Sequence, residues 1–99
     1  MTDKVLQLIG LCFKSRHLVC GTDTVISSLQ KQKLHLVMIS SDASSSLIDK
    51  IEKKAFFYKV PVIIKYDSDT YLKTIGKKTM IIGIDDEGFT KAIMKELES

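Results

Sequence analysis

LVCGTDTVISSLQKQKLHLVMISSDAS, running from Leu18 to Ser44, decides the fold. A short apolar run meets a glycine, an amphipathic stretch follows, and a second apolar run closes the segment. His17 to Cys20 reads as a short strand that Gly21 breaks. Thr22 is the expected N-cap of the helix that follows. Val25, Ile26 and Leu29 form the buried stripe of that helix, which ends near Lys31 and Lys33. Leu34 to Ile39, LHLVMI, is nearly all apolar, as expected of a strand covered on both faces.

The same alternation extends outward in both directions. Upstream, Val5, Leu6, Leu8, Ile9, Cys12 and Phe13 recur at helical spacing and predict a helix over residues 3–15, with Asp3 favouring its start. Downstream, the cap-rich run Ser40 to Ser44 opens a third helix whose stripe is Leu47, Ile48, Ile51, Ala55 and Tyr58. Pro61 stops it, because the residue before a proline is pushed out of the helical region. Val62 to Ile64 is the next strand. Ser68 to Ile75 is a short helix closed by Gly76 as a left-handed cap. Thr79 to Ile84, TMIIGI, is the last strand, and Asp85 to Glu98 the last helix, with acids where the helix dipole favours them. Helices and strands in strict alternation imply an α/β domain with a central sheet covered on both faces. One domain spanning residues 1–99 is expected from the length.

Composition excludes several functions. No apolar stretch approaches a membrane span and no signal-peptide pattern opens the chain, so a cytoplasmic location is expected, with no membrane partner. Cys12 and Cys20 are too few for a disulfide framework, and with His17 and His35 they fit no zinc spacing, so no metal and no cofactor are expected. Cys12 is expected to pack on an apolar helix face. The net charge of +3 is mild, but it is unevenly spread. Residues 1–84 carry 13 basic and 7 acidic side chains, whereas residues 85–99 carry 2 basic and 5 acidic ones. A basic body with an acidic final helix suits a polyanion-facing surface, although ordinary solvated lysines give the same count.

No enzyme motif stands out. GTDTV after the first strand lacks the lysine of a phosphate-binding loop, and no GxGxxG is present. His17 and Cys20 lack a third group to orient them as a catalytic pair. Asp85 and Asp86 precede a helix, where an acid pair is far more often a cap than a dyad. The loops at the strand ends are the expected ligand edge of a layered α/β domain. Three segments are candidates for it: Lys14 to Thr24, Ser40 to Ser44, and Lys65 to Lys77. In the last of these, lysines stand beside Tyr66 and Tyr71, a pairing that can grip a backbone and stack a base. The simpler reading places Tyr71 in the core and Tyr66 over a sheet end.

Several spaced features together resemble one family: LVCG before the second helix, KLHLVMISSDAS, the YKVPV stop, the IGK turn and the terminal DDEGFTKAI. The chain resembles the ribosomal protein L-seven-Ae family of kink-turn RNA binders over nearly its whole length, and most of all the bacterial YlxQ-type branch. The resemblance implies a three-layer α-β-α sandwich with a four-stranded mixed sheet. It also implies that RNA docks on the turn after the first strand and on the start of the second helix, through a pattern like G-T-N-E-x-x-K. The matching positions are Gly21, Thr22, Asp23, Thr24 and Ser27. Gly21 and Thr22 agree with the pattern. Asp23 replaces the asparagine, Thr24 the acid and Ser27 the lysine, and Cys20 stands where a lysine is common. Asp23 accepts hydrogen bonds but cannot donate as asparagine does, and the missing lysines remove phosphate contacts. Lys14, Arg16, Lys31, Lys65, Lys73 and Lys77 are the cations available to compensate. The expected function is that of a small non-catalytic RNA-binding protein, associated with the ribosome or with a structured RNA. Ribosomal or RNA-processing proteins are expected as further partners, and no small-molecule substrate. The alternative is a protein-interaction module that keeps the fold after its RNA site has decayed.

Overall fold

The computed structural model describes residues 3–98. Its elements in chain order are α1 (Lys4–Lys14), β1 (Leu18–Cys20), α2 (Thr22–Gln30), β2 (Leu36–Ile39), α3 (Ser45–Phe57), β3 (Val62–Ile64), α4 (Ser68–Ile75), β4 (Ile81–Ile84) and α5 (Glu87–Leu97). The alternation read from the apolar periodicity is therefore present throughout. The four strands form one sheet in the order β1-β4-β2-β3, mixed in direction: β4 runs antiparallel to β1 and to β2, while β2 and β3 are parallel.

Two cores follow from the period-two alternation of side chains along a strand. In β2, Leu36 and Met38 point to one face, Val37 and Ile39 to the other. In β4, Ile82 and Ile84 share the first face and Ile81 takes the second. The first face meets Val5, Ile9 and Cys12 of α1, Tyr71 and Ile75 of α4, and Ile93 of α5. The second meets Val25 and Leu29 of α2 and Ile51 of α3. Helices thus cover both faces, and every residue of β2 and β4 is buried. Gly83 belongs to this packing. A Cβ there would lie 2.6 Å from Leu34 Cδ1 and 3.2 Å from Val19 Cγ2, so the second face needs a residue without one.

Some boundaries moved inward for local reasons. The second strand begins at Leu36 because Leu34 folds into the core beside Gly83, although the His35 N–H still donates to Ile84 O at 2.8 Å. The last strand begins at Ile81 because the Thr79 hydroxyl turns back and donates to Ile81 O at 2.7 Å. Asp85 and Asp86 lie outside α5. Asp86 caps it, accepting from the Phe89 N–H at 2.8 Å, and Asp85 bonds His17 Nδ1 at 2.9 Å. Cys12 is fully buried as expected. Burial first, then the carboxylates of Asp85 and Asp86, push its thiol up to about 12, so it stays protonated and inert.

Candidate nucleic-acid interface

Strand directions decide which loops meet. β4 is antiparallel to both neighbours, so β1, β2 and β3 all run the same way. Their C-terminal ends and the start of β4 therefore lie along one edge of the sheet. The Gly21 N–H donates to Ile81 O at 3.1 Å and to Thr79 Oγ1 at 3.2 Å. The Ser40 N–H donates to Met80 O at 2.7 Å, and the Ser41 N–H to Tyr66 O at 2.8 Å. These bonds sew the Gly21 turn, the Ser40 loop, the Tyr66 loop and the Thr79 turn into one rim.

At this rim the start of α2 is chemically open. Gly21, not Thr22, is the N-cap, with φ 95° and ψ 146°. Thr22 is already the first helical residue, so its hydroxyl is not placed to cap. The positive φ alone favours glycine, since no atom lies within 4 Å of where a Cβ would stand. Among the described residues, α1, α3, α4 and α5 each have a side-chain cap, from Asp3, Ser44, Asp67 and Asp86; α2 has none. The first N–H groups of a helix have no intrahelical acceptor, so those of Thr22, Asp23 and Thr24 are left to solvent. Oriented amides of this kind favour an anion, and Asp23, exposed in the same turn, opposes one. Ser27 lies one turn further along the helix and is half-buried.

The neighbouring loops are closed. The Ser40 hydroxyl, itself buried, donates to Asp42. Asp42 in turn accepts from the Ser68 N–H at 3.0 Å and the Ser68 hydroxyl at 2.6 Å. The bond from Ser68 is the largest cause holding the Asp42 carboxyl below its usual range. The tyrosines are structural. Tyr71 is fully buried and its hydroxyl donates to Lys65 O at 2.6 Å. Tyr66 donates to Asp3 Oδ2 at 2.9 Å, with its ring edge-on to Tyr71. This is the arrangement in which Tyr71 packs inside and Tyr66 covers a sheet end.

The candidate cations divide into three groups. Lys77 lies two residues before Thr79, and its ammonium sits 5.6 Å from the centroid of the Phe13 ring in α1. Lys14 and Thr74 line one surface groove. Lys14 ends α1 where the chain turns into β1, at the edge away from the Gly21 turn, whereas the backbone of Lys77 leads toward the Thr79 turn that holds the Gly21 amide. Lys65 follows β3 on the rim, with its ammonium 5.4 Å from the Tyr66 ring, and Lys73, in the last turn of α4, forms an exposed pair with Asp69 at 3.1 Å. Such a pair is weak, so a phosphate can displace the carboxylate. Arg16 and Lys31 belong elsewhere. Arg16 sits in the turn before β1 and Lys31 caps the far end of α2, both at the opposite edge of the sheet. Lys78 is a cation that the sequence reading passed over; it is exposed and adjoins Thr79, the residue that holds the Gly21 amide. Only the Gly21–Thr79 bond marks it out, and that contact spans 58 positions in the chain.

A mixed four-stranded sheet between helical layers, with an uncapped helix start at the strand ends, defines a small sandwich domain whose loops form one docking rim. The chain belongs to the ribosomal protein L7Ae/L30e/S12e/Gadd45 family, whose model matches residues 3–93. It is similar to the RNA-binding protein YlxQ of Enterococcus faecium, with 30% identity over 96 residues covering 97% of this chain and 93% of that protein. The RNA-binding protein YlxQ of Bacillus subtilis (strain 168) is 33% identical over 93 residues, covering 92% of each chain. Among solved structures, a Bacillus halodurans protein of unknown function superposes with a TM-score of 0.94 at 29% identity, covering 99% of this chain and 100% of that one. The Giardia lamblia 15.5kD RNA binding protein superposes with a TM-score of 0.80 at 12% identity, covering 99% of this chain and 88% of that one, a likeness of fold alone.

Proposed function

We propose that this chain is a small, non-catalytic RNA-binding protein, a single cytoplasmic domain that docks a structured RNA on the Gly21 rim. Family membership and the names of its relatives support RNA as the ligand. The observation that carries the site is the start of α2, whose uncapped amides adjoin the Thr79 turn into which Lys77 and Lys78 lead. Gly21, Thr22, Asp23, Thr24 and Ser27 meet the RNA. Thr22 and Thr24 hydroxyls donate or accept at base edges, and the lysines hold phosphates. Lys65 and Lys73 extend the phosphate track, while Arg16 and Lys31 stay outside it. The exposed Asp23 and Thr24 at the positions of the family's asparagine and acid favour an RNA related to the kink-turn over the standard one. Ribosomal RNA and other bent RNAs are the targets of choice.

Filter binding over a salt series tests this reading. A kink-turn RNA, an rRNA fragment and a straight hairpin of equal length are compared. Binding that prefers the bent RNAs and weakens linearly in log salt is expected. Equal binding to the straight hairpin removes the kink-turn part of the reading, and absence of binding to all three removes RNA.

A further inference from the structure

Phe56 and Phe57, at the end of α3, are 86% and 76% exposed. They lie away from the Gly21 rim, where α3 turns back toward the start of β3. A groove of about 300 Å³ runs here between Glu52, Phe56, Val60 and Val62. Among the described residues β3 is an edge strand, paired only with β2. Its hydrogen-bonding phase can be read from the bonds. The Val37 N–H donates to Pro61 O and the Lys65 N–H donates to Ile39 O, with Val37 opposite Val62 and Ile39 opposite Ile64. In a parallel ladder of that phase the main-chain groups of Val62 and Ile64 point away from the sheet. A groove with three apolar side chains and one carboxylate in its walls therefore borders a row of free backbone donors and acceptors.

Charge frames the same row. Lys59 precedes β3 and Lys65 follows it, both exposed. No carboxylate pairs with either ammonium among the described residues. The two are six residues apart, which is about 20 Å of extended chain. Lysines and a proline beside an edge strand also discourage strand-to-strand aggregation. That role alone does not account for Phe56, which such protection would exclude from the groove wall.

We propose that the β3 edge and the groove beside it bind an extended peptide segment of another protein, apolar in its middle and acidic at both ends. The segment adds a strand outside β3 through Val62 and Ile64. Its central side chain enters the groove against Phe56, and its terminal carboxylates meet Lys59 and Lys65. Glu52 in the groove wall disfavours a phosphate backbone there, and the unpaired main-chain groups of Val62 and Ile64 match another strand rather than a nucleotide. A second copy of this chain is a poorer occupant, because its own Lys59 and Lys65 would face the same pair. This inference shares Lys65 with the proposed phosphate track but needs neither the Gly21 turn nor RNA binding, so it survives the failure of that reading.

The probe is a fluorescein-labelled heptapeptide, Asp-Thr-Val-Thr-Val-Thr-Asp, followed by anisotropy and by amide chemical shifts of the full chain. Shifts are expected at Val62 and Ile64, with at least tenfold weaker binding to Phe56→Ser. Ile64→Pro removes only an outward-facing N–H, so it is expected to abolish binding while leaving the melting curve in place. If Ile64→Pro fails to fold, Phe56→Ser and the amide shifts decide. The proposal is overturned if the peptide ending in Asn binds equally well, or if the shifted amides cluster at Gly21. It is also overturned if a single-stranded RNA shifts Val62 and Ile64 instead, or if sedimentation shows a dimer that Phe56→Ser disperses.

Discussion

Two helices begin on the same sheet edge and are finished in opposite ways. At the start of α4, Asp67 accepts from the Thr70 N–H at 2.8 Å and the Thr70 hydroxyl at 2.7 Å, and Asp42 takes the Ser68 N–H. Two carboxylates thus consume the amides there. At the start of α2, Gly21 carries no side chain and the amides have no internal acceptor. The first arrangement stabilises the helix and repels a polyanion. The second gives up about a few tenths of a kcal/mol of capping, since glycine is a tolerable N-cap, and leaves the donors without an internal acceptor. The proposed RNA site thus falls at the one helix start, among those described, whose amides the fold itself does not use.

The largest effect is expected from filling the open start. Gly21→Val forces a β-branched residue to φ 95°, which costs about 2 kcal/mol. Denaturant unfolding should show that loss, and RNA binding should fall more than tenfold because the turn can no longer present its amides. Normal stability with normal binding would mean that the turn relaxes freely and that its conformation is not what the site depends on.

Next in size is the difference between near and distant lysines. Removing Lys77 and Lys78 together should lower the slope of log affinity against log salt by about 2. Removing Arg16 and Lys31, at the other edge, should leave that slope unchanged. Equal effects from the two pairs would turn the rim into a diffuse basic surface.

The closed start can be broken by acid. Its bonds hold the Asp42 and Asp67 carboxyls below their usual range, through Ser68 and Thr70 respectively. A carboxyl depressed in the folded state contributes stability above its unfolded value and loses it as pH falls through the folded one. The melting temperature should therefore be flat near neutrality and drop below about pH 4. Asp42→Asn with Asp67→Asn should shallow that acid limb and lower the neutral plateau, with RNA binding retained. Lost RNA binding at full stability would place these carboxylates in the interface instead.

How much of this was legible in the sequence divides along the same line. Periodicity carried the elements: the Val25, Ile26, Leu29 stripe, the unbroken LHLVMI and the Gly76 stop each follow from local chemistry. The simpler reading of the tyrosines, with Tyr71 in the core, is the one the structure shows. What escaped reading depends on contacts distant in the chain. Thr22 looked like a cap because threonine often is one, but the bonds from Gly21 to Thr79 and Ile81 fix the turn one residue earlier. Arg16 and Lys31 looked like neighbours of Gly21 because they are near it in sequence. A strand and a helix each carry the chain across the sheet, so proximity in sequence put them at the far edge. The Phe56-Phe57 pair sits off the buried stripe of α3, but only the open edge of β3 shows what it faces.

The smallest expected effect tests the one side chain at the open start that opposes its purpose. Asp23 is exposed in the first turn of α2, where its charge suits the helix dipole but not a phosphate. Asp23→Asn removes the repulsion and adds an amide donor without changing size. Stability should fall slightly, because a carboxylate near a helix start contributes about 0.3–1 kcal/mol. RNA affinity should rise severalfold, most for a kink-turn RNA, whose guanine edges an asparagine can both accept from and donate to. A rise confined to low salt would assign the gain to relieved repulsion alone, since screening removes that term and leaves hydrogen bonding. Weaker binding by Asp23→Asn would show that the carboxylate itself reads the RNA, by accepting from a guanine amino group. The start of α2 would then be open in its backbone but specific in its one acid.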